Sequence, residues 1–311
     1  MPIQTTWRAR NFGELIGNED VVASVKAALK SNDPNHAILI TGPSGTGKTT
    51  LARIIAMRLG AYDPDSLSNS GFREINAGDM RGIDAVRAIG AEASRMPLGG
   101  GNRVFFVDEC HRMTPDAQEM WLKILEEAAG YNWFIFATTN PETLKTTFLR
   151  RPAKYEMKPL SDSDVINYLA GICNEEQIDA TEDVLQAIVS DCMGSMGIAM
   201  GILDAIKGLS AEQMLQAAQT QAAKQNAVIE LCRVLVDKKC TWAAIRPILA
   251  NLKEQGEDAE GIRRMVLGYC SSILLKKDEP RMFIIMDAFH EPMYNIGFPG
   301  VVFACYAASK G

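Results

Sequence analysis

Residues 42–49 read Gly42-Pro43-Ser44-Gly45-Thr46-Gly47-Lys48-Thr49, which matches the phosphate-binding pattern G-x-x-x-x-G-K-T. The apolar run from Ala37 to Ile40 precedes this stretch and predicts a strand, and the run from Leu51 to Ala56 follows it and predicts a helix. The glycines allow backbone N–H groups to turn around a phosphate, Lys48 adds a positive charge and the Thr49 hydroxyl can ligate Mg²⁺. The sequence therefore predicts an α/β protein that binds phosphate through residues 42–49 and the adjoining Thr50.

Length and composition limit the class of protein. At 311 residues the chain exceeds one ordinary domain, so we expect two or three packed units. No run approaches the roughly 18 apolar residues of a membrane span, and the first residues form no apolar signal segment, so we expect a soluble, cytoplasmic protein without membrane contact. The seven cysteines include no Cys-x-x-Cys pair, which predicts buried, reduced thiols rather than a zinc site or disulfides.

Charge is distributed unevenly along the chain. The segment up to Lys158 is nearly neutral, so the net charge of −6 comes from the C-terminal half. If nucleic acid is bound, the N-terminal half must supply the positive clusters. The acidic C-terminal half is more typical of packing and protein contacts.

Two further segments predict buried strands of a parallel sheet, with polar residues at their carboxyl ends. In the first, Arg103 to Val107 is followed by Asp108 and Glu109, where Asp108 would contact Mg²⁺ and Glu109 would polarise an attacking water. In the second, Trp133 to Ala137 is followed by Thr138-Thr139-Asn140. Thr139 and Asn140 could reach a γ-phosphate or the water, and the alternative is a simple turn before the next proline.

The order of these motifs resembles the clamp-loader ATPases of the AAA+ class, especially the bacterial gamma/tau subunits and the replication factor C small subunits. Trp7 to Gly17 is similar to the family's opening box, which implies that Ile16 and Gly17 lie against adenine. Glu74 to Arg87 resembles the family segment that starts a DNA-facing helix. Leu125-Glu126-Glu127 and the residues from Ala137 to Pro141 match the gamma/tau pattern, and the likeness continues to about residue 208.

The resemblance implies an architecture of three parts. These are a nucleotide-binding base with a parallel sheet (1–158), a small helical lid (159–208) and an all-α collar for oligomerisation (209–311). In the collar, amphipathic segments near 242–253, 259–277 and 280–290 predict helices. Met282 and Phe283 are expected to be core residues.

The implied activity is that of an ATPase subunit of a sliding-clamp loader for DNA replication, with ATP and Mg²⁺ as ligands. Implied partners are a sliding clamp, primer–template DNA and further subunits, in a pentameric open ring with a companion subunit. DNA phosphates would be contacted, without base reading, by Arg81, Gly82, Ile83 and Arg87. The alternative is that Asp79 merely caps a surface helix.

A surface for the clamp is expected at Met96, Pro97 and Leu98, which precede three glycines. The alternative is an ordinary connection between a helix and a strand.

The chain also departs from the family pattern. The family's Ser-Arg-Cys motif aligns with Arg150-Arg151-Pro152, so Arg151 would act in trans on a neighbouring subunit's ATP, unless the two arginines are only a solvated surface pair. Gly197 stands where the family's lid has a phosphate-sensing arginine. The zinc insertion of the gamma/tau subunits is absent, which fits a small viral or divergent cellular homologue; a viral chain would act in the host cytoplasm.

Two other functions remain open from the sequence. One is a different DNA-dependent AAA+ remodelling ATPase, and the other is a non-catalytic scaffold subunit, which the glycine at 197 favours. The run from Asp108 to His111 spells a helicase box, but no later helicase motif follows. We therefore expect His111 to be a structural residue at a helix start.

Overall fold

The computed structural model describes residues 2–66, 71–79, 82–97, 100–192, 194–210, 213–215, 217–218, 227–237, 239–275, 277–294 and 296–310. The chain divides into two compact units. The first comprises Ile3–Asp164 with Gly194–Gly197, and the second comprises Val165–Met193 with Ile198–Gly311. Residues 42–50, which are predicted to bind phosphate, all belong to the first unit.

The first unit is built on a parallel sheet, which has five strands in the described part of the chain. The strands are β1 (Ala37–Thr41), β2 (Phe72–Asn76), β3 (Arg103–Asp108), β4 (Asn132–Thr138) and β5 (Ala153–Glu156), in the order β2-β3-β4-β1-β5. Parallel strands end at a common edge. The residues that follow β1, β3 and β4 therefore lie at the carboxyl edge of the sheet, where open α/β sheets bind ligands.

Helices cover both faces of this sheet. On one face lie α2 (Glu19–Leu29) and α3 (Lys48–Arg58), and on the other lie α4 (Ile83–Ala93) and α5 (Pro115–Glu127). Short helices α1 (Ile3–Thr6) and α6 (Thr146–Leu149) and the 3₁₀ turns Cys110–Arg112 and Pro141–Thr143 complete the described elements of this unit. Because helices pack on both sides, β1, β3 and β4 are buried almost throughout.

Side chains of β3 alternate between the two faces of the sheet. Val104 and Phe106 pack toward α3, whereas Phe105 and Val107 pack toward α4 and α5. On the second face the buried ring of Trp121 meets Phe136 edge-on, with ring centroids 5.1 Å apart. This packing fixes the ends of β3 and β4, which carry the predicted site.

The second unit contains helices and no strand in its described residues. Its helices, some of which begin in the first unit, are α7 (Asp162–Glu176), α8 (Glu182–Cys192), α9 (Met196–Ile206), α10 (Ala227–Val236), α11 (Trp242–Glu254), α12 (Ala259–Leu274), α13 (Pro280–Ala288) and α14 (Phe298–Ala308). Helices α10 to α14 share one apolar core. They form a helical bundle at the C-terminal end of the chain.

A buried carboxylate joins parts of this bundle. Glu260, only 2% exposed, accepts hydrogen bonds from Arg263 Nη2 at 2.6 Å, from Arg264 Nε at 3.2 Å and from the Met293 amide at 2.9 Å. Burial alone would raise the pKa of Glu260, but the hydrogen bonds from Arg263 and Met293 hold this pKa below its ordinary value. The charged form of Glu260 therefore ties α12 to the loop after α13.

The predicted α/β class, with a parallel sheet followed by a helical region, is confirmed. The three helices predicted in the C-terminal region correspond to α11, α12 and α13. The prediction that Phe283 is a core residue is wrong. Met282 is buried but Phe283 is 71% exposed, because adjacent residues of a helix point about 100° apart.

Six of the seven cysteines are buried, as expected, and Cys240 is half-buried. No helix in the described ranges is both long and apolar enough to cross a bilayer.

Candidate functional site

The loop between β1 and α3, residues 42–49 and hereafter the phosphate loop, requires glycine at position 45. Gly45 has a left-handed φ of 75°, and a Cβ there would lie 1.8 Å from Ser195 Oγ. The Thr46 hydroxyl donates to the Pro43 carbonyl at 2.9 Å, which closes the loop on itself. Pro43, Ser44 and Gly45 remain exposed at its tip.

Lys48 begins α3 beneath this loop and is only 7% exposed. Its Nζ donates to the carbonyls of Gly42 and Pro43, at 2.8 Å each. Burial lowers the pKa of Lys48, and the nearby carboxylates of Glu109 and Asp108 oppose that shift only in part. The ammonium group is therefore held by the loop's own carbonyls, with which a bound phosphate would compete.

Thr49 and Asp108 meet across the carboxyl edge of the sheet. Thr49 Oγ1, in the first turn of α3, donates to Asp108 Oδ2 at the end of β3 at 3.0 Å, although β4 lies between β3 and β1, the strand that precedes the loop and α3. Asp108 Oδ1 accepts the backbone N–H of Glu109 at 2.9 Å. A hydroxyl and a carboxylate are hard oxygen ligands of the kind that Mg²⁺ prefers, together with phosphate oxygens. The residues present therefore fit Mg²⁺ bound with a nucleotide.

No group of three or more His, Cys, Asp or Glu side chains that could hold a metal ion occurs within the residues that the structure describes.

Glu109 follows Asp108 and has a left-handed backbone, with φ 52° and ψ 41°. Its Oε2 lies 3.1 Å from His111 Nδ1, and the same nitrogen lies 3.1 Å from Thr138 Oγ1. The Glu109 side chain is 34% exposed, so water can reach it. The sequence predicts only a structural role for His111 and does not predict that Thr138 contacts it; the Glu-x-His spacing after a buried strand was the available signal.

The end of β4 forms both a turn and part of the site's edge. Thr138 Oγ1 accepts the Asn140 amide at 3.0 Å, and the Asn140 carbonyl accepts the Thr143 hydroxyl at 2.8 Å. Thr139 is half-buried and Asn140 is 3% exposed. A turn before Pro141 is therefore present, as the alternative interpretation expected. Of Thr139 and Asn140, the two residues predicted to contact the phosphate or the water, Thr139 is the more accessible.

The segment that contains Gly17 approaches the phosphate loop through Leu15, whose Cδ1 would lie 3.7 Å from a Cβ on Gly47. Gly17 is buried with a φ of 63°, and a Cβ there would lie 2.5 Å from Leu160 Cδ2. Ile16 is half-buried. The predicted adenine contacts therefore lie in a tightly packed segment.

Gly197 lies beside the phosphate loop. A Cβ on Gly197 would be 3.7 Å from the Cα of Gly45, an ordinary van der Waals distance. The Gly197 carbonyl accepts a hydrogen bond from Gln4 Nε2 at 2.5 Å, a contact that the sequence did not predict. The position where the resembled family carries an arginine is therefore close to the loop but presents no side chain.

Arg151 lies on the surface, just after α6. Its guanidinium forms an ion pair with Glu126 of α5, and both side chains are about half exposed. Its backbone is fixed, since its N–H donates to the Phe148 carbonyl at 3.1 Å and its carbonyl accepts from Asn35 Nδ2 at 2.9 Å.

The predicted DNA contacts surround the start of α4. This helix begins after Gly82, so Asp79 is not its N-cap. Ile83 is its first residue, and Arg87 Nη1 donates to Asp84 Oδ1 at 2.9 Å. Arg81 lies outside the described residues.

The predicted clamp contacts follow the end of α4. Met96 is 72% exposed, Pro97 is buried and Leu98 lies outside the described residues. The expectation of an exposed apolar surface is therefore met by Met96 and not by Pro97. Two buried side chains hold the preceding helix end, because Arg103 Nη1 donates to the Arg95 carbonyl at 2.9 Å and Asn132 Nδ2 to the Ala93 carbonyl at 2.8 Å.

Solved structures with the same fold include the RuvB proteins of Thermotoga maritima. One RuvB variant aligns with a TM-score of 0.59 and 18% identity, over 74% of this chain and 80% of that one. The RuvB Holliday junction branch migration motor aligns with a TM-score of 0.56 and 17% identity, over 82% of each chain. At these identities the likeness establishes the fold alone.

Sequence comparison gives closer relatives. A family model described as DNA polymerase III, delta subunit, matches residues 17–161. The replication factor C small subunit of Haloarcula marismortui is 32% identical over 234 residues, covering 74% of this chain and 70% of that protein. The DNA polymerase III subunit tau of Bacillus subtilis is 27% identical over 300 residues, covering 90% of this chain.

The chain spans about half of the tau subunit's length, 53%. It spans more than two thirds of the replication factor C small subunit, at an identity above 30%. With the parallel sheet, the phosphate loop and the acidic pair at its edge, this likeness shows that the chain belongs to the clamp-loader family of AAA+ proteins, which includes the replication factor C small subunits and the DNA polymerase III gamma/tau subunits.

Proposed function

We propose that this chain is an ATPase subunit of a sliding-clamp loader for DNA replication. It binds ATP to open a clamp and grip primer–template DNA, and it hydrolyses ATP to release the clamp on the DNA. The observation that carries the proposal is the meeting of Lys48, Thr49 and Asp108 at the carboxyl edge of the sheet, with Glu109 beside them. The membership of the clamp-loader family gives this site its context.

In this proposal the triphosphate lies in the phosphate loop and the base lies against Ile16 and Gly17. Lys48 exchanges the loop carbonyls for phosphate oxygens. Thr49 and Asp108 hold Mg²⁺, which supplies charge neutralisation at the phosphates when it is bound. Glu109 orients and polarises the attacking water, and Thr139 and Asn140 contact the terminal phosphate or that water.

Arg151 is proposed to act in trans on the ATP of a neighbouring subunit. Its fixed backbone and exposed guanidinium support this role, because such a group can leave a half-exposed ion pair with Glu126 at little cost. An arginine that neutralises the transition-state charge typically contributes about 10³–10⁵ in rate. The site is then complete only between two subunits.

DNA is proposed to lie at the start of α4, where Arg81, Gly82, Ile83 and Arg87 would contact phosphates without reading bases. Such binding is tolerant of sequence and weakens with salt. The end of the same helix is the proposed clamp contact, with Met96 as its most exposed apolar side chain. The buried partners of that end, Arg103 and Asn132, would keep it in place.

We propose the three-part division into base (1–158), lid (159–208) and collar (209–311), with the collar joining subunits. Phe283 of α13 is 71% exposed and Phe303 of α14 is 75% exposed. These two side chains support a subunit interface on the collar, since large exposed apolar side chains are often covered by partners. The assembly proposed is a pentameric open ring with a companion subunit, located in the cytoplasm.

A second candidate is a scaffold subunit of the same ring that binds nucleotide and hydrolyses little. Gly197 favours it, because the position beside Gly45 offers no cation to a phosphate. Intact Lys48, Asp108 and Glu109 oppose it.

Mixing subunits tests the shared site. Glu109→Gln and Arg151→Ala proteins are each expected to hydrolyse ATP at least about 100-fold more slowly than wild type. Mixed, they should recover a substantial part of the wild-type rate, since some interfaces then pair an intact Glu109 with an intact Arg151. Arg150→Ala, which changes the adjacent exposed arginine, is the matched control and should remain active. Failure of the mixture to recover, with both variants still assembling, would contradict the trans role.

A further inference from the structure

His111 lies close to the carboxyl ends of the neighbouring strands β3 and β4 and contacts a residue at each end. The 3₁₀ turn Cys110–Arg112 follows directly after β3 and brings the imidazole of His111 close to the carboxylate of Glu109. His111 Nδ1 is 3.1 Å from Glu109 Oε2 and 3.1 Å from Thr138 Oγ1 at the end of β4. One nitrogen thus contacts both strand ends, and the His111 side chain is only 12% exposed.

The chemistry of the two partners determines what this nitrogen can do. An ionised carboxylate only accepts hydrogen bonds, so Nδ1 must carry a proton to hold Glu109. The Thr138 hydroxyl can donate or accept. If the proton lies on Nε2 alone, Thr138 is the partner of Nδ1 and Glu109 is not held. Whether Nδ1 carries a proton therefore determines whether His111 can orient Glu109.

The backbone of Glu109 is consistent with a residue that its surroundings hold in place. A left-handed conformation is strained for a residue other than glycine. It is maintained here by a hydrogen bond from the Glu109 N–H to Asp108 Oδ1 at 2.9 Å and by one from the Arg112 N–H to the Glu109 carbonyl at 2.9 Å. Strained residues held in this way cluster at functional sites. Hydrogen bonds at its N–H and at its carbonyl thus hold the backbone of Glu109, and the contact with His111 also restrains its carboxylate.

Thr138 gives the imidazole a rigid support. It is fully buried, and its Oγ1 also accepts the Asn140 N–H at 3.0 Å. The strand that carries it pairs with β3 as far as Phe136 and with β1 as far as Thr138 itself, which lies opposite Thr41. The ring of His111 therefore rests on the sheet rather than on a mobile side chain.

We propose that His111 is a positioning residue for Glu109: its Nδ1–H is shared between one carboxylate oxygen of Glu109 and Thr138 Oγ1, and the other carboxylate oxygen is left directed to the attacking water. This inference rests on the proposed ATPase function. His111 itself touches neither substrate nor metal in this role, so it acts on the rate through Glu109.

The first test is steady-state ATP hydrolysis by wild type, His111→Ala and His111→Asn, with nucleotide affinity measured separately. A positioned base contributes about 10²–10⁴ in rate, so loss of its orientation should lower kcat by about 10- to 100-fold in His111→Ala. KM and nucleotide affinity should change by no more than about twofold. His111→Asn, whose amide can donate from nearly the same place, should recover most of kcat. His290→Ala, which removes an exposed histidine of the second unit, is the control.

The second test does not depend on turnover. The chain has three histidines, so the ring nitrogens of ¹⁵N-histidine protein can be assigned by NMR with the His111→Asn variant. A proton on His111 Nδ1 is expected, and Glu109→Ala should shift that signal. An unprotonated Nδ1 would overturn the proposal, as would an unchanged kcat in His111→Ala while wild type is active. Absence of hydrolysis in wild type would instead refute the proposed function, and the inference with it.

Discussion

Replacing Gly45 by alanine tests how closely the phosphate loop packs on the Gly194–Gly197 segment. At a φ of 75° any L-residue is strained, by roughly 1–2 kcal/mol. The added Cβ would also lie 1.8 Å from Ser195 Oγ and 2.9 Å from Ser195 Cβ, far inside van der Waals contact. Overpacking of this kind typically costs a further 1–3 kcal/mol or so. We expect Gly45→Ala to lower the free energy of unfolding of the first unit by about 2–5 kcal/mol.

Gly60 provides the matched control. Its φ is 71°, close to that of Gly45, but no heavy atom lies within 4 Å of a Cβ built there. Gly60→Ala should therefore cost only the backbone strain, about 1–2 kcal/mol. The difference between the two variants isolates the contact with Ser195.

Urea unfolding in a Trp242→Phe background measures these costs, because the remaining tryptophans, 7, 121 and 133, lie in the first unit. Adding Ser195→Ala removes the oxygen at 1.8 Å and should restore about 1 kcal/mol or more to Gly45→Ala, and nothing to Gly60→Ala. Equal losses in the two glycine variants, or no recovery with Ser195→Ala, would refute the packing described between Ser195 and the loop.

Three further predictions concern stability. Glu260→Gln should lower the free energy of unfolding of the second unit by about 2 kcal/mol at neutral pH. Since the pKa of Glu260 in the folded protein lies below its ordinary 4.5, the stabilisation is complete above pH 4.5 and is lost as the pH falls through the folded pKa. Urea unfolding at a series of pH values should therefore show less acid sensitivity in the variant than in wild type. Asn132→Ala should lower the free energy of unfolding by about 1–3 kcal/mol in thermal melts, because it leaves the buried Ala93 carbonyl at the end of α4 without that donor. Asn102→Ala, which removes a donor at a half-exposed site, should cost less. Equal losses in the two variants would contradict this account. Trp121→Ala should cost about 3–5 kcal/mol by urea unfolding, and a loss below about 1 kcal/mol would mean that the ring is not packed as described.

The central strands could be predicted from the sequence, but the edge strands could not. β1, β3 and β4 are buried on both faces, so each is a continuous apolar run. β2 and β5 lie at the edges of the sheet and read Phe-Arg-Glu-Ile-Asn and Ala-Lys-Tyr-Glu, which contain too few apolar residues to stand out. Their assignment depends on the neighbouring strand rather than on local pattern.

The same limit applies to the site. The phosphate loop and the acidic pair after β3 follow from local motifs whose spacing has a physical reason. The contact of Ser195 with Gly45 joins residues far apart in sequence, and the contact of His111 with Glu109 depends on a left-handed residue that no motif announces. Such contacts are decided by packing and by turn geometry, which the sequence did not reveal.

The most direct test of the central claim is steady-state ATP hydrolysis by the purified protein, with and without primer–template DNA, for wild type and Glu109→Gln. The account predicts hydrolysis that rises with primer–template DNA in wild type and is lost in Glu109→Gln, while Glu109→Gln still binds nucleotide. Wild-type protein that binds nucleotide but hydrolyses none under either condition would contradict the claim that this chain is itself an ATPase, and would favour the scaffold role.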